Sequence, residues 1–221
     1  MIDLHTHTFF SDGLLSPAEL VRRAEYNNYR AIAITDHVDS SNIDSVIVRI
    51  CRFCEETQPF LKIKLIPGIE LTHIPVGQIS NLVRKARLKG AKLIVLHGET
   101  VCEPVPPGTN KAGIEAGVDI LAHPGLITEK EARLAASKGV FLEISGRYSH
   151  GLGNGHVLQL ARKVKAKFIL NTDAHAPGDL FTPEWRKKVA FGAGMTDSEL
   201  SSVDQDMKLL VQKCIPEYFN V

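Results

Sequence analysis

The sequence predicts an α/β protein, a closed parallel barrel of seven β/α units. Three observations carry that expectation. A short apolar strand, a polar loop and a helix recur seven times along 221 residues. The strand segments are apolar throughout, as in a sheet buried on both faces. His5, His7, His37, Glu70, His97, His123, Asp173 and His175 all fall at or just past the C-terminal ends of those strands. Barrel enzymes draw their sites from many strands at that face. An open doubly wound sheet collects ligands from only two or three strands near its switch point.

The first strand is Ile2–His5. Residues i and i+2 share a face of an extended chain, so His5 and His7 project side by side, as two ligands of one ion must. Ser16-Pro17-Ala18-Glu19 opens a helix: Ser caps, Pro takes the first helical position and Glu closes a capping box. Ala31–Thr35 is the second strand, ending at Asp36-His37, and a helix runs from about Ile43 to Glu56. The third strand, Lys64–Ile66, leads through Pro67-Gly68 to Ile69-Glu70-Leu71. A helix over Val76–Leu88 stops at Gly90. Lys92–Leu96 is the fourth strand, ending at His97-Gly98-Glu99. A proline-rich loop to Gly108 and a short helix from about Asn110 to Ala116 follow. Val118–Ala122 is the fifth strand, ending at His123-Pro124-Gly125. Thr128 with Glu131 then boxes a helix reaching about Lys138. Val140–Ile144, the sixth strand, carries Glu143 and leads to Arg147. A glycine-rich loop and a helix over His156–Val164 come next. Lys167–Leu170 is the seventh strand, ending at Asn171-Thr172-Asp173-Ala174-His175. Helices start near Pro183 and at Asp197, the latter boxed by Thr196 and Glu199. No linker or low-complexity segment interrupts the series. A single domain over residues 1–221, with the helix from about 196 packed on the barrel, is expected.

Hydrophobic residues make up 44% and charged residues 23%, the profile of a soluble globular domain. A net charge of +1 gives no electrostatic case for nucleic acid or an anionic membrane as partner. The basic runs Arg84–Lys92 and Arg162–Lys167 fall where helices end, and there cations complement the dipole. No apolar run is long enough to span a bilayer. Asp3 and the histidines interrupt any apolar leader, so the cytoplasm is the expected compartment. Cys51-Arg-Phe-Cys54 has the C-x-x-C form but no second pair. On a helix, that spacing places both cysteines on one face in a structural role.

Six of the nine histidines stand at strand ends with two carboxylates. Without metal, such a set is a costly, half-buried positive cluster. It holds more donors than one four-coordinate ion takes, so two or three ions are expected. His5-Thr6-His7 with Ser11-Asp12-Gly13, then Thr35-Asp36-His37, Gly68-Ile69-Glu70, His97, His123-Pro124-Gly125 and Asp173-Ala174-His175 form an ordered set. In that order they resemble the PHP (polymerase and histidinol phosphatase) family from residue 1 to about 195.

The resemblance implies a distorted seven-stranded TIM-like β/α barrel with three ions at its C-terminal face. One ion would be held by His5, His7, Glu70 and Asp173. A second would be held by Glu70, His97 and His123, and a third by Asp12, His37 and His175. Zinc, manganese or iron are the candidate metals. The implied activity is metal-dependent phosphoester hydrolysis. Two ions about 3.5–4 Å apart would activate a water for in-line attack on phosphorus. A small phosphorylated metabolite, histidinol phosphate first, is the expected substrate. The family also contains exonuclease modules of DNA polymerases, phosphotyrosine-protein phosphatases and metal-free ribonuclease P subunits. The filled ligand set argues against the last of these.

Asp36, beside a ligand, is expected to orient it or to donate a proton. Arg147 is the candidate fork on the substrate phosphate, because guanidinium matches phosphate oxygens bidentately. His73, His150 and His156 are candidates to line the pocket, and the loop from Gly98 to Pro107 to shape specificity or form a lid. The glycine loop 151–155 lacks G-x-G-x-x-G spacing after a strand. No G-x-S-x-G elbow surrounds Ser11 or Ser145, which excludes a serine hydrolase.

Overall fold

The computed structural model describes residues 1–216. Strand and helix alternate in the order β1 (Ile2–Asp3), α1 (Pro17–Tyr26), β2 (Ala31–Ile34), β3 (His37–Val38), α2 (Ile43–Thr57), β4 (Lys64–Leu71), α3 (Ile79–Leu88) and β5 (Leu93–His97). They continue as α4 (Thr109–Ala116), β6 (Ile120–Ala122), α5 (Glu129–Lys138), β7 (Phe141–Ser145), α6 (Asn154–Val164), β8 (Phe168–Asn171), α7 (Pro183–Gly192) and α8 (Asp197–Cys214).

All pairings are parallel, in the order β1-β2-β4-β5-β6-β7-β8, with β3 also on β4. Ile34 pairs with Pro67 and His37 with Glu70. The offset is the same, so β2 and β3 are one strand line interrupted at Thr35-Asp36. That makes seven lines, as the sequence predicts. The barrel is nearly closed. Its first and last lines meet beyond their regular strands, through a Thr6–Ala174 bridge. His7 N donates to Ala174 O at 2.9 Å and Asp173 N to His5 O at 3.1 Å. This seam therefore runs through the candidate ligands themselves.

β2, β5, β6 and β7 are buried at every position, as strands covered on both faces must be. The helices bury one stripe each. In α2 it is Ile43, Val46, Ile47, Ile50 and Cys54, the spacing of a single helical face. Cys51 and Cys54 are free thiols on that helix.

Local details depart from the sequence expectation. Regular strand ends at Asp3 rather than His5, because the chain bends into the seam. The helix expected over Val76–Leu88 starts as a 3₁₀ turn at Val76–Gln78. Helix α6 starts at Asn154, two residues early. The Asn154 side chain accepts from Ser145 N at 3.0 Å and donates to Ser145 O at 2.9 Å. The Thr128–Glu131 and Thr196–Glu199 boxes form in full. At α1 only half a box forms: Ser16 accepts from Glu19 N, but the Glu19 carboxylate turns to Arg23. Among the described residues no helix is long and apolar enough to cross a membrane.

Candidate metal centre

The nine residues expected as ligands converge at the C-terminal face of the barrel. At the centre stands Glu70, buried on β4. Its Oε2 lies 3.3 Å from His5 Nε2, 3.6 Å from His7 Nε2 and 2.7 Å from His37 Nδ1, and its Oε1 lies 3.7 Å from His123 Nε2. Asp173 faces the same space. Its Oδ1 is 3.2 Å from His7 Nε2 and 3.6 Å from His5 Nε2, and its Oδ2 is 3.8 Å from His123 Nε2. Nearer solvent, Asp12 Oδ1 is 3.2 Å from His175 Nε2 and 3.5 Å from His37 Nε2. The third flank holds His97, T-shaped to His123 at 4.5 Å between ring centroids.

Backbone geometry aims two of these side chains. His123 (φ 28°) and Asp173 (φ 55°) both occupy the left-handed region, which costs a non-glycine residue roughly 1–3 kcal/mol and persists only where the surroundings impose it. Gly13 permits the turn under His7: a Cβ there would meet His7 O at 2.5 Å. Gly125, at φ 58°, lies so close to Glu99 O that no side chain fits.

The donor set fits divalent ions. Seven buried side-chain N or O atoms lack a hydrogen-bond partner of acceptable geometry among the described residues. Six belong here: His5 Nε2, both His7 nitrogens, both Glu70 oxygens and His123 Nδ1. Each such atom left unpaired costs about 1–3 kcal/mol. Imidazole nitrogens and carboxylate oxygens converging on one space are the donors that zinc, manganese and iron take.

The electrostatics divide the histidines. Burial, reinforced by the neighbouring imidazoles, holds His7 and His123 well below the ordinary histidine range. Both are neutral, with lone pairs available. Burial opposes protonation of His5 as well, yet Glu143, Glu70 and Asp173 outweigh it and hold its pKa well above the usual value. His37 and His97 are raised against burial by Glu70 and Glu103 respectively. Burial also opposes the charge on Glu70, but His5 and His37 hold it well below the carboxylate range. Burial pushes Asp173 up to about 6. The sign of the pH dependence follows. In the metal-free protein His5, His37 and His97 carry protons that a metal must displace. Metal affinity should therefore rise from pH 6 to pH 8, by up to about tenfold per unit for each proton released. Chelator competition across that range checks this, and a flat profile would contradict it.

The grouping is more continuous than three separate sites. His7, Asp12, His37 and His175 offer ligand atoms within 4.8 Å of one another, and so do His5, His123 and Asp173. His7 also offers a ligand atom to a group with His5 and Glu70, so it stands in two groups; its ring lies 4.2 Å from His37 and 4.1 Å from His175.

Asp36 requires a correction. It does not face the ligands. Its Oδ1 accepts from Thr8 N (2.8 Å), Ser11 N (3.1 Å) and Ser11 Oγ (2.7 Å), and its Oδ2 from Thr8 Oγ1 (2.8 Å). Successive residues of an extended chain point to opposite faces. With His37 turned to the site, Asp36 is turned into the loop over residues 8–11. It holds the loop that carries Asp12 and is no proton donor to substrate. Arg147 does reach the site. Its Nη1 lies against His175 Nδ1 and its Nε is 4.0 Å from Asp173 Oδ2. His73 and His150 line the same cleft of about 370 Å³, whereas His156 donates to Ile127 O outside it.

Two residues near the site have roles the sequence did not reveal. Glu143 Oε1 accepts from His5 Nδ1 and from Asn171 Nδ2, both at 2.8 Å, and Oε2 accepts from His123 N at 3.2 Å. The proton on His5 Nδ1 leaves Nε2 as the inward ligand atom. A lone acid in an apolar buried strand was the available signal. Glu143→Gln should weaken metal binding by about 10–100-fold while the protein still folds, as measured by calorimetric titration. The second residue, Glu103, comes from the proline-rich loop. Its Oε2 is 3.1 Å from His97 Nε2 and 3.4 Å from His73 Nε2, and its Oε1 is 3.5 Å from His150 Nε2. His150, expected from the sequence to line the pocket, stacks on His123 at 4.0 Å.

Barrel, strand-end location and donor set have the form of the metal-dependent phosphoesterase fold of the PHP type. The model of the PHP domain matches residues 3–100. An uncharacterized protein of Methanocaldococcus jannaschii is 48% identical over 202 residues, which is 90% of this chain and 93% of that one. The chain belongs to the PHP-domain family. A 5'-3' exoribonuclease of Salmonella typhimurium is 40% identical over 72 residues, 33% of this chain and only 22% of the enzyme. In fold, the chain is similar to one in archaeal ribonuclease P solved with mature tRNA. The TM-score is 0.70 at 18% identity, covering 100% of this chain and 94% of that one. It is also similar to a Listeria monocytogenes protein described as a histidinol phosphatase. There the TM-score is 0.58 at 12% identity, covering 83% of this chain and 98% of the other.

Proposed function

We propose that the protein hydrolyses phosphomonoesters of small metabolites with two or three divalent ions, zinc, manganese or iron, held by His5, His7, Asp12, His37, Glu70, His97, His123, Asp173 and His175. One observation carries the reading: the unpartnered oxygens of Glu70 meet the unpartnered Nε2 atoms of His5 and His7 beneath a cleft of about 370 Å³. A cleft of that size matches the space small-molecule sites usually offer. When bound, the ions lower the pKa of a water and neutralise charge developing on the phosphoryl oxygens.

The chain's own residues then have distinct tasks. Glu70 and Asp173 supply the negative charge that draws cations into a pocket of imidazoles. Glu143 fixes which nitrogen of His5 faces inward. His175 turns Nε2 to Asp12, 3.2 Å away, while its Nδ1 side lies against Arg147. Arg147, at the cleft wall, forks the phosphate oxygens and orients phosphorus for in-line attack. Asp36 keeps the loop bearing Asp12 in place.

The test is phosphate release by protein stripped with chelator and reloaded with Mn²⁺ or Zn²⁺. The substrates are p-nitrophenyl phosphate and a panel of phosphorylated metabolites including histidinol phosphate. Release well above a His37→Ala control supports the reading. No release above that control with any metal overturns it. So does a clear preference for oligoribonucleotides over every monoester, which would make the enzyme a diesterase.

A further inference from the structure

The proline-rich loop carries one carboxylate into the mouth of the cleft, and a histidine outside the nine-residue set stands across from it. Glu103 Oε2 lies 3.1 Å from His97 Nε2 and 3.4 Å from His73 Nε2. We propose that His73, His97 and Glu103 hold a divalent ion at the outer edge of the cleft, with zinc the best fit and a fourth position open to water. The ion that the family resemblance gives to His97, Glu70 and His123 thereby moves to the loop side of His97. The inference rests on reading the cluster as a metal centre, and not on which ester is hydrolysed.

Three observations carry it. The first is spacing. Ligand atoms about 2.0–2.2 Å from a tetrahedral zinc ion stand roughly 3.3–3.6 Å from one another. Glu103 Oε2 meets both imidazole nitrogens near that spacing, and the three residues offer ligand atoms that all lie within 4.8 Å of one another. A single carboxylate oxygen faced by two imidazoles needs an N–H from each ring. One ion satisfies all three atoms through their lone pairs. Two imidazoles and a carboxylate are also a donor set of open zinc sites.

The second is the orientation of His97. Its Nδ1 lies 3.2 Å from Gly98 O, which leaves Nε2 as the ligand atom. Among the described residues, Glu103 is the one carboxylate within 4.0 Å of that nitrogen. His123 groups with His5 and Asp173, so it keeps an ion without His97. One Nε2 takes one ion at a time, and the total of two or three ions is therefore unchanged.

The third is the backbone. His73, just past the end of β4, has φ 52°. A β-carbon disfavours that conformation, which persists only where the surroundings impose it. His123 and Asp173 are aimed in the same way, and both belong to the nine. The arm bearing Glu103 is braced as well. Glu99 Oε1 accepts from Gly108 N at 3.0 Å and from Asn110 N at 2.9 Å, closing the loop, and Val105 N donates to Glu103 O at 2.9 Å.

Calorimetric titration with Zn²⁺ of the wild type, Glu103→Gln and His73→Asn tests the site. Gln keeps the shape of the carboxylate and Asn tolerates the left-handed backbone, so both variants should fold. Losing the outer partner of a ligand already costs about 10–100-fold in metal affinity. Losing a ligand itself should weaken one binding event by no less and leave the others unchanged. In crystals soaked with Zn²⁺, anomalous scattering should place a peak about 2.0–2.2 Å from His73 Nε2, His97 Nε2 and a Glu103 oxygen. An unchanged titration in either variant overturns the inference. So does a peak that His97 shares with Glu70, His123 or His150 and none at Glu103. If ions bind elsewhere in the cluster but not here, only this inference fails. If the wild type binds no ion at all, the metal-centre reading fails with it.

Discussion

Glu70→Gln is expected to lower kcat/KM by about 10³-fold or more and to remove at least one bound ion. Among the described residues, Glu70 is the one carboxylate within 4 Å of His5, His7, His37 and His123 together. The amide keeps the shape of the carboxylate, but its nitrogen cannot ligate and its negative charge is gone. Stabilisation of the reacting phosphoryl group by metal is worth several kcal/mol, and each 1.36 kcal/mol is about tenfold in rate. Steady-state kinetics at saturating Mn²⁺, paired with metal analysis, check both parts. Activity near that of the wild type would remove Glu70 from the centre of the site.

Metal removal should have the second large effect, on stability. Buried atoms of His5, His7 and Glu70 gain partners when ions bind, and an ion that binds only the folded state stabilises it by mass action. At a free metal concentration about 1,000 times the dissociation constant the gain is about 4 kcal/mol. For a chain of this size each kcal/mol moves Tm by roughly 2–4 °C. The loaded protein should melt on the order of 10 °C above the chelator-treated one in calorimetry. Coincident melts would show that these atoms are not ligands.

Much of the site is legible in the sequence because strand ends are locally encoded. A buried parallel strand reads as an apolar run, and the first polar residues past it must lie at the barrel mouth. That places His37, Glu70, His97, His123 and Asp173 together without any knowledge of tertiary contacts. The error at Asp36 arises from treating neighbours in sequence as neighbours in space. Its carboxylate faces away from His37 and accepts hydrogen bonds from Thr8 and Ser11. Glu143 was visible as an acid in an apolar strand, but its role needs the positions of His5 and His123, which lie 138 and 20 residues away. The pairing of Glu103 with His150 is illegible for a different reason. Irregular loops, whose paths carry no periodic signal, bring them together across 47 residues. The barrel seam is similarly hidden, since the first and last strand lines meet through residues 4–7 and 171–174, past the end of β1 and at and past the end of β8.

The most direct test of the account is the number of ions bound per chain. Wild-type protein loaded with Mn²⁺ or Zn²⁺, freed of excess metal and measured by plasma emission should hold two to three ions. The same preparation of Glu70→Gln should hold fewer. Less than one ion per wild-type chain, under conditions where the protein is folded, would contradict the assignment of this cluster as a metal centre.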